Sequence, residues 1–459
     1  MQALHKAGHE VAQLAWFHRS ENLLHRPWQT FTTYKDHKKC CGRGDYISEV
    51  YRDMKVSYLQ VDKETGYPQA VGKDFPYCPH GQRLSGDIYG QMSIDLVVSI
   101  FQPEIVISIG DQWMCASIEG CIFRGSFKHV MYAAVDGAPL PRYTIKNGHR
   151  LDWRQLYLDV DYPVTMCNWA AEEVDKMVDD GGVACKTILH GVDTDCFHPL
   201  SSTQRTRIRS GNTPGFIEIG RSSGSGIWDR VTNLDDDFLV LYVGRNMSRK
   251  SIPFLFRTIR QFKDEGLEDK DKVRLLLHMP YKDVGWNMDE LIRIYDAYDW
   301  VMVNPQVKVG TGPDDKELNK VYNMADVSLH MSSAEGFALT LAESLSAGVP
   351  TTALDYSAPP SWGGEVLQLI RPIEVIQEPV TNLGRAVPDI DDAVKTLKRI
   401  YDMPRKERIE VSKAGRRFMV KGFNWKGSIT PSWVALVDTI SLDGITPLSS
   451  QDMHSNQKR

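Results

Sequence analysis

No run approaches the roughly 18 apolar residues that a membrane-spanning helix needs, and the N-terminus lacks the basic-then-apolar order of a secretion leader. A cytoplasmic protein with no transmembrane segment is expected. An excess of one charge is missing too: 54 Lys and Arg stand against 59 Asp and Glu, 20 against 25 in residues 1–200 and 34 against 34 beyond. Neither half is a basic module, which argues against binding polyanions by overall charge. Cysteine is sparse, with eight in 459 residues and none spaced as C-x2-C. Cys40-Cys41 and Cys78-Pro79-His80 lack the paired spacing of a zinc site, so reduced core thiols are expected and metal is not.

A chain of 459 residues exceeds one ordinary hydrophobic core and implies two domains. The first spans 1–200, a Ser-, Gly- and Arg-rich linker or arm 201–237, the second 238–424, and a crossing segment with a polar tail 425–459. Residues 26–92, rich in aromatic, Pro, Gly and charged residues but without periodicity, read as an irregular insertion with short strands or helices. Elsewhere strands alternate with helices: Ile105–Ile109, His129–Ala134, Trp153–Val160, Val164–Cys167 and Ala170–Asp179, then Phe238–Val243, Pro253–Lys263, Val273–Met279, Met288–Tyr298, Trp300–Val303, Asp315–Asn323 and Val327–Met331. Such alternation implies α/β architecture with parallel, doubly wound sheets.

The most informative stretch is Ala334-Glu335-Gly336-Phe337-Ala338-Leu339-Thr340-Leu341-Ala342-Glu343, which follows the last of those strands. Glu335 falls in the turn before a helix, where the N–H groups of Phe337, Ala338 and Leu339 have no intrahelical partner and can meet an anion or a hydroxyl-rich ligand. Glu343 lies about two turns on, rotated by roughly 80°, near enough in direction to serve the same ligand. Upstream, the strand Leu239–Val243 ends in Gly244-Arg245, with Lys250 five residues after Arg245. A third segment, Gly191-Val192-Asp193…Phe197-His198-Pro199, closes the first domain.

Together these segments resemble retaining nucleotide-sugar glycosyltransferases of family 4, with their E-x7-E signature. The likeness is close from about residue 165 to 360 and loose before 120, apart from Gly8-His9-Glu10-Val11. It implies two Rossmann-like domains facing across a cleft, the GT-B architecture, with the last helix crossing back onto the first domain near Ser428–Trp433. Members of the family open with a strand and a glycine-rich loop that this sequence lacks, and Ser251 stands where they have glycine. The resemblance assigns donor binding to Gly244, Arg245, Lys250, Glu335, Phe337, Ala338, Leu339 and Glu343, with Glu335 on the sugar, Glu343 on the ribose and the two cations on the diphosphate. It implies a retained anomeric configuration and no metal cofactor.

For the first domain, Asp136 stands just past a strand end, where α/β sheets hold ligands; a turn-forming Asp before Gly137 is the plain alternative, and Asp111 is the rival strand-end residue. The substrate expected is a nucleoside-diphosphate hexose, a UDP-sugar with a weak preference for glucose. The acceptor stays open among glycan, lipid, small molecule and modified nucleic acid. Six basic residues between Arg124 and Arg154 (Arg124, Lys128, Arg142, Lys146, Arg150, Arg154) form either a docking site for a phosphate-bearing acceptor or a solvated basic loop. Other readings are a glucosyltransferase acting on hydroxymethylated DNA bases, a sugar-nucleotide epimerase and a non-catalytic sugar-nucleotide-binding protein.

Overall fold

The structure, a computed structural model, describes residues 2–15, strand segments between 29 and 83, and 94–448 apart from 147–148, 180–183, 212–214, 220–227, 231–232, 266, 268, 310–312 and 380. Cys40, Cys41, Cys78 and His80 lie outside the described residues, as does most of 26–92. Within that stretch Gln29–Thr32 and Val56–Val61 run parallel to Ala12–Ala15, with Pro68–Val71 antiparallel at the edge. The expected irregular insertion thus carries ordered strands.

The first half centres on four parallel strands in the order Lys186–Thr187, Tyr162–Thr165, Lys128–Ala134, Ile105–Asp111. Lys128–Ala134 is buried on both faces because its middle is continuously apolar, as a central parallel strand requires. Helices Trp153–Asp159 and Asn168–Val178 cover one face. Asp152 caps the first of them by accepting from Gln155 N at 3.0 Å.

The second half is a longer sheet. Val301–Val303, Val273–His278, Phe238–Val243 and Val327–Ser328 run parallel, and a bridge from Ser328 to Thr351 continues the order to Thr352–Leu354 and Gln368–Ile370. All six residues of Phe238–Val243 are buried. On its flank, helix Ile390–Tyr401 buries Ile390, Ala393, Val394, Leu397 and Ile400, a stripe at helical spacing. The arm expected over 201–237 is more built than its composition suggests. Ser201 forms a capping box for helix Ser202–Arg209, strand Ile217–Ile219 extends the second sheet antiparallel to Val301–Val303, and Trp228–Arg230 pairs antiparallel with Ile217–Ile219 at its edge. Buried Phe216 anchors it.

Two C-terminal elements cross between the halves. Helix Arg405–Gly422 sends Arg416 to the carbonyls of Phe197, Thr194 and Ser346. The chain then turns through Trp425–Ile429 into helix Thr430–Asp438, whose Leu436, with Ile429 and Ile440, buries Val130, Tyr132, Val164 and Ile188 of the first sheet. Trp433 meets the Tyr132 ring edge-on at 4.9 Å. At Gly191 an added Cβ would lie 2.7 Å from the Trp425 ring, so glycine permits the crossing segment to seat.

Candidate active site

Three strand ends meet between the halves: Phe238–Val243 and Val327–Ser328 from the second, Lys128–Ala134 from the first. After Val243 the chain turns at Gly244, where a Cβ would strike the Tyr242 hydroxyl at 2.5 Å. Arg245 then points to Asp283, with Nε and Nη2 donating to its two oxygens at 2.9 and 2.8 Å. Asn246 is fully buried and grips Trp286 through its N–H (2.8 Å) and carbonyl (2.7 Å). A 3-10 turn, Ser248–Lys250, closes on Ser251 in the left-handed conformation (φ 53°) before helix Ile252–Asp264 begins. That turn directs both Arg249 and Lys250 at Glu335.

Glu335 is buried. Its carboxylate accepts from Arg249 Nη1 at 3.0 Å and pairs with Lys250, while Arg249 also donates to the Ala334 carbonyl at 3.1 Å. Its backbone is held as well, the N–H donating to Ser357 Oγ at 2.9 Å. Burial alone would raise its carboxyl, but Lys250 and Arg249 outweigh that and hold it down at about 2. The same burial lowers Lys250 from its ordinary value against the pull of Glu335. Beside the pair, His330 is buried, bonded to Ser328 Oγ at 2.9 Å, and kept neutral, its imidazole pushed to about 3 by burial and then by Lys250. His330, Ser332, Glu335, Ala338, Tyr356 and Ser357 line a small depression.

Beyond Glu335, Gly336 packs against the first half, where a Cβ would lie 2.9 Å from the Ala134 Cβ. Phe337 turns inward, stacked on Trp362 at 4.9 Å, so only its backbone can face a ligand. Ala338 adopts the left-handed conformation (φ 71°) and starts helix Leu339–Ser346. Glu343, on that helix, accepts from the Tyr322 hydroxyl at 2.6 Å, and burial raises its carboxyl to about 7. The two glutamates share no bonding partner: Glu335 belongs with the cations and Glu343 with Tyr322.

Asp136 comes from the opposite half and reaches this cluster. Arg249 Nε stands 3.6 Å and Arg385 Nη1 3.4 Å from its carboxylate. Asp111 ends the neighbouring strand; its carboxyl is raised by loss of solvent and then by the charge of Asp136, so the two rival residues face one region. Arg249, Lys250 and Arg385 are balanced by Glu335, Asp136 and Glu378. Within this compact set Arg249 and Lys250 can exchange their pairing with Glu335 for an incoming diphosphate, while Arg385 stays anchored on Glu378.

Sequence reasoning singled out Arg245, yet the cation that joins Lys250 on Glu335 is Arg249. Adjacent positive charges look alike in sequence, and only the tight turn closed by Ser251 tells them apart. Arg385, Tyr356 and His330 carried no motif. The basic stretch from Arg124 to Arg154 is largely matched internally: Arg124 bonds Glu119 and Asp161, Lys128 lies 3.4 Å from Asp161, Arg142 pairs with Asp179, and Arg150 pairs with Asp152 and covers the Tyr143 ring. Cys115, Cys121, Cys167, Cys185 and Cys196 are free thiols, and no cluster of metal-ligating side chains occurs among the described residues. No helix among them is long and apolar enough to cross a membrane.

Comparison with curated protein sequences finds no match. Residues 226–362, which hold Arg245, Lys250, Glu335 and Glu343, match the family model described as Glycosyl transferases group 1. Solved structures of similar fold include sucrose-phosphate synthase from Thermosynechococcus elongatus (16% identity, 95% of this chain and 90% of that one, TM-score 0.60). HepE of Anabaena in complex with UDP (11%, 94% and 100%, 0.57) and a glycosyltransferase from Rickettsia africae (11%, 94% and 99%, 0.54) are similar to this chain over comparable lengths. The chain thus has a GT-B fold, and its second half matches the group 1 glycosyltransferase model over residues 226–362.

Proposed function

We propose that this protein transfers a hexose from a nucleoside-diphosphate sugar to an acceptor hydroxyl with retention of anomeric configuration, with a UDP-sugar as donor and a weak preference for glucose. The observation that carries this reading is the buried Glu335 carboxylate, held ionised between Arg249 and Lys250 at a strand end that Asp136 approaches from the opposite half. HepE, solved with UDP and with UDP and glucose, supports the choice of donor by its fold. Buried free thiols suit a cytoplasmic location.

In this reading the bond from the anomeric carbon to the diphosphate breaks, the acceptor oxygen bonds the same face of that carbon, and the acceptor proton passes to the departing phosphate oxygen. Negative charge grows on the diphosphate as it leaves. Arg249, Lys250 and the first N–H groups of helix Leu339–Ser346 are fixed before the reaction, so they stabilise the transition state more than the bound donor. Ionised Glu335 accepts hydrogen bonds from donor-sugar hydroxyls. Asp136, loosely held by its two arginines, keeps lone pairs for the sugar or acceptor. Glu343 and Tyr322 stand where the helix can meet a ribose.

The test is incubation of the purified chain with a panel of UDP-, GDP- and ADP-sugars, reading released nucleoside diphosphate with and without glycan, lipid, small-molecule and hydroxymethylated DNA acceptors. Turnover with one donor, undiminished by excess chelator, is expected. Nucleotide binding without release from any donor would favour a non-catalytic binding protein, and epimerised donor would favour an epimerase.

A further inference from the structure

The 136–138 turn that carries Asp136 is tied to the opposite half of the molecule. Arg385 Nη1 donates to the Asp136 carbonyl at 2.6 Å and lies 3.4 Å from the Asp136 carboxylate. Gly384 N–H donates to the Ala138 carbonyl at 3.1 Å, and the Tyr356 hydroxyl lies 3.1 Å from the carbonyls of both Ala138 and Gly384 while accepting from Ala138 N–H at 3.2 Å. There is no room for side chains at this seam: a Cβ on Gly137 would lie 2.9 Å from the Gly384 carbonyl, and one on Gly384 would lie 2.1 Å from that of Ala138.

Arg385 is itself fixed. It sits on the second strand of the hairpin Pro372–Gln377 and Gly384–Pro388, with its Nε and Nη2 donating to the two oxygens of Glu378 at 2.8 and 2.7 Å. Thr381 Oγ1 donates to Glu378 at 2.5 Å and so holds the acid in place. Only 13% of the Arg385 side chain is exposed. Two of its nitrogens are therefore anchored on Glu378, and the third is left to hold the Asp136 backbone and face its carboxylate. That geometry suits orientation of the acid, because the carboxylate contact is too long to use up its lone pairs.

We propose that Arg385, oriented by Glu378, is a positioning residue that holds Asp136 in its working geometry across the junction between the halves. The inference rests on the function proposed above and assigns a role to a hairpin that no motif marked. It also makes Asp136 a group completed from outside its own half: when the halves part, the acid loses its orientation, and when they meet it regains it.

The experiment uses the full chain and whichever donor it turns over in the panel, comparing wild type with Arg385→Ala, Arg385→Lys and Glu378→Gln. Misplacing a reacting group by about 1 Å can cost about a hundredfold, so Arg385→Ala is expected to lower kcat by about tenfold or more, with KM for donor and UDP affinity within about twofold. Added guanidinium ion should restore part of that loss in Arg385→Ala and none in Arg385→Lys, and in an Asp136→Asn background the loss should vanish. Glu378→Gln keeps the arginine and should show a smaller fall of the same kind, which serves if Arg385→Ala does not fold. Unchanged kcat in both Arg385→Ala and Glu378→Gln would overturn the role, as would a loss of UDP affinity matching the loss of kcat, or an undiminished effect in Asp136→Asn. A wild-type chain that turns over no donor would overturn the proposed function as well, which separates the two failures.

Discussion

Lys250→Ala tests the heart of the site through stability before any substrate is added. Side-chain exposure is only 13% for Lys250 and 11% for Glu335, so the pair is shielded from solvent and counter-ions. A carboxyl moved from 4.5 to about 2 prefers its charged form by about 3 kcal/mol at about 1.4 kcal/mol per unit, and Arg249 supplies part of that. The carboxyl is lowered in the folded chain, so its contribution is complete above about pH 4.5 and fades as pH falls toward 2. Removing Lys250 leaves a buried carboxylate with Arg249 alone, which should cost about 2–3 kcal/mol, slightly less than breaking an isolated buried pair. The midpoint of thermal unfolding at pH 7 should fall by about 5 °C or more. Glu335→Ala added to Lys250→Ala removes the stranded charge and should restore part of the loss. A Lys250→Ala chain that melts with wild type, together with a coupling energy in the double-mutant cycle below about 0.5 kcal/mol, would refute the reasoning.

Glu343 behaves in the opposite sense. Burial raises its carboxyl to about 7, so stability falls as pH rises from 4.5 through 7; Glu343→Gln should melt later than wild type at pH 8 and with it at pH 4, and a less stable variant at pH 8 would contradict the assignment. Arg249→Ala should weaken UDP binding, measured by titration calorimetry, by about 1.5–3 kcal/mol. Arg245→Ala, whose exposed side chain pairs with Asp283, should change it by less than about 1 kcal/mol; the reverse order would restore Arg245 as the diphosphate ligand. Gly336→Ala places a methyl 2.9 Å from Ala134 and should lower kcat by keeping the halves apart while leaving UDP affinity unchanged, and full activity would show that the contact is dispensable.

Much of the second half could be read from sequence because its central strands are mostly apolar runs and some of its helices carry side-chain caps. Asp314 accepts from Glu317 N–H at 2.8 Å at the start of a helix that the pattern located to within a residue. Glu335 and Lys250 were singled out by the family resemblance as separate donor contacts, and they meet because each follows a strand of one sheet and parallel strands bring their C-terminal ends together. Their neighbours were less legible. Arg385 sits 249 residues from Asp136 on a hairpin whose outer strand leaves Ile373, Val375 and Ile376 exposed, so no amphipathic signal marked it. Helical angle and the family resemblance both put Glu335 and Glu343 on one ligand, and neither foresees that Tyr322 from the preceding helix bonds Glu343. The strand at Ile217–Ile219 escaped because Ser, Gly and Arg around it outweigh its few apolar positions.

The last helix has a bearing on how the protein is made. On the ribosome, strands Lys128–Ala134 and Tyr162–Thr165 emerge long before residues 429–440, yet those late residues are what cover Val130, Tyr132 and Val164. N-terminal segments generally fold first during synthesis. Here the first sheet must wait with one greasy face bare while more than half of the chain is still being translated, a window in which chaperone binding or misassembly competes with completion. A frameshift or nonsense change between the Glu335 loop and residue 429 would therefore strip the cover from the half of the molecule synthesised first.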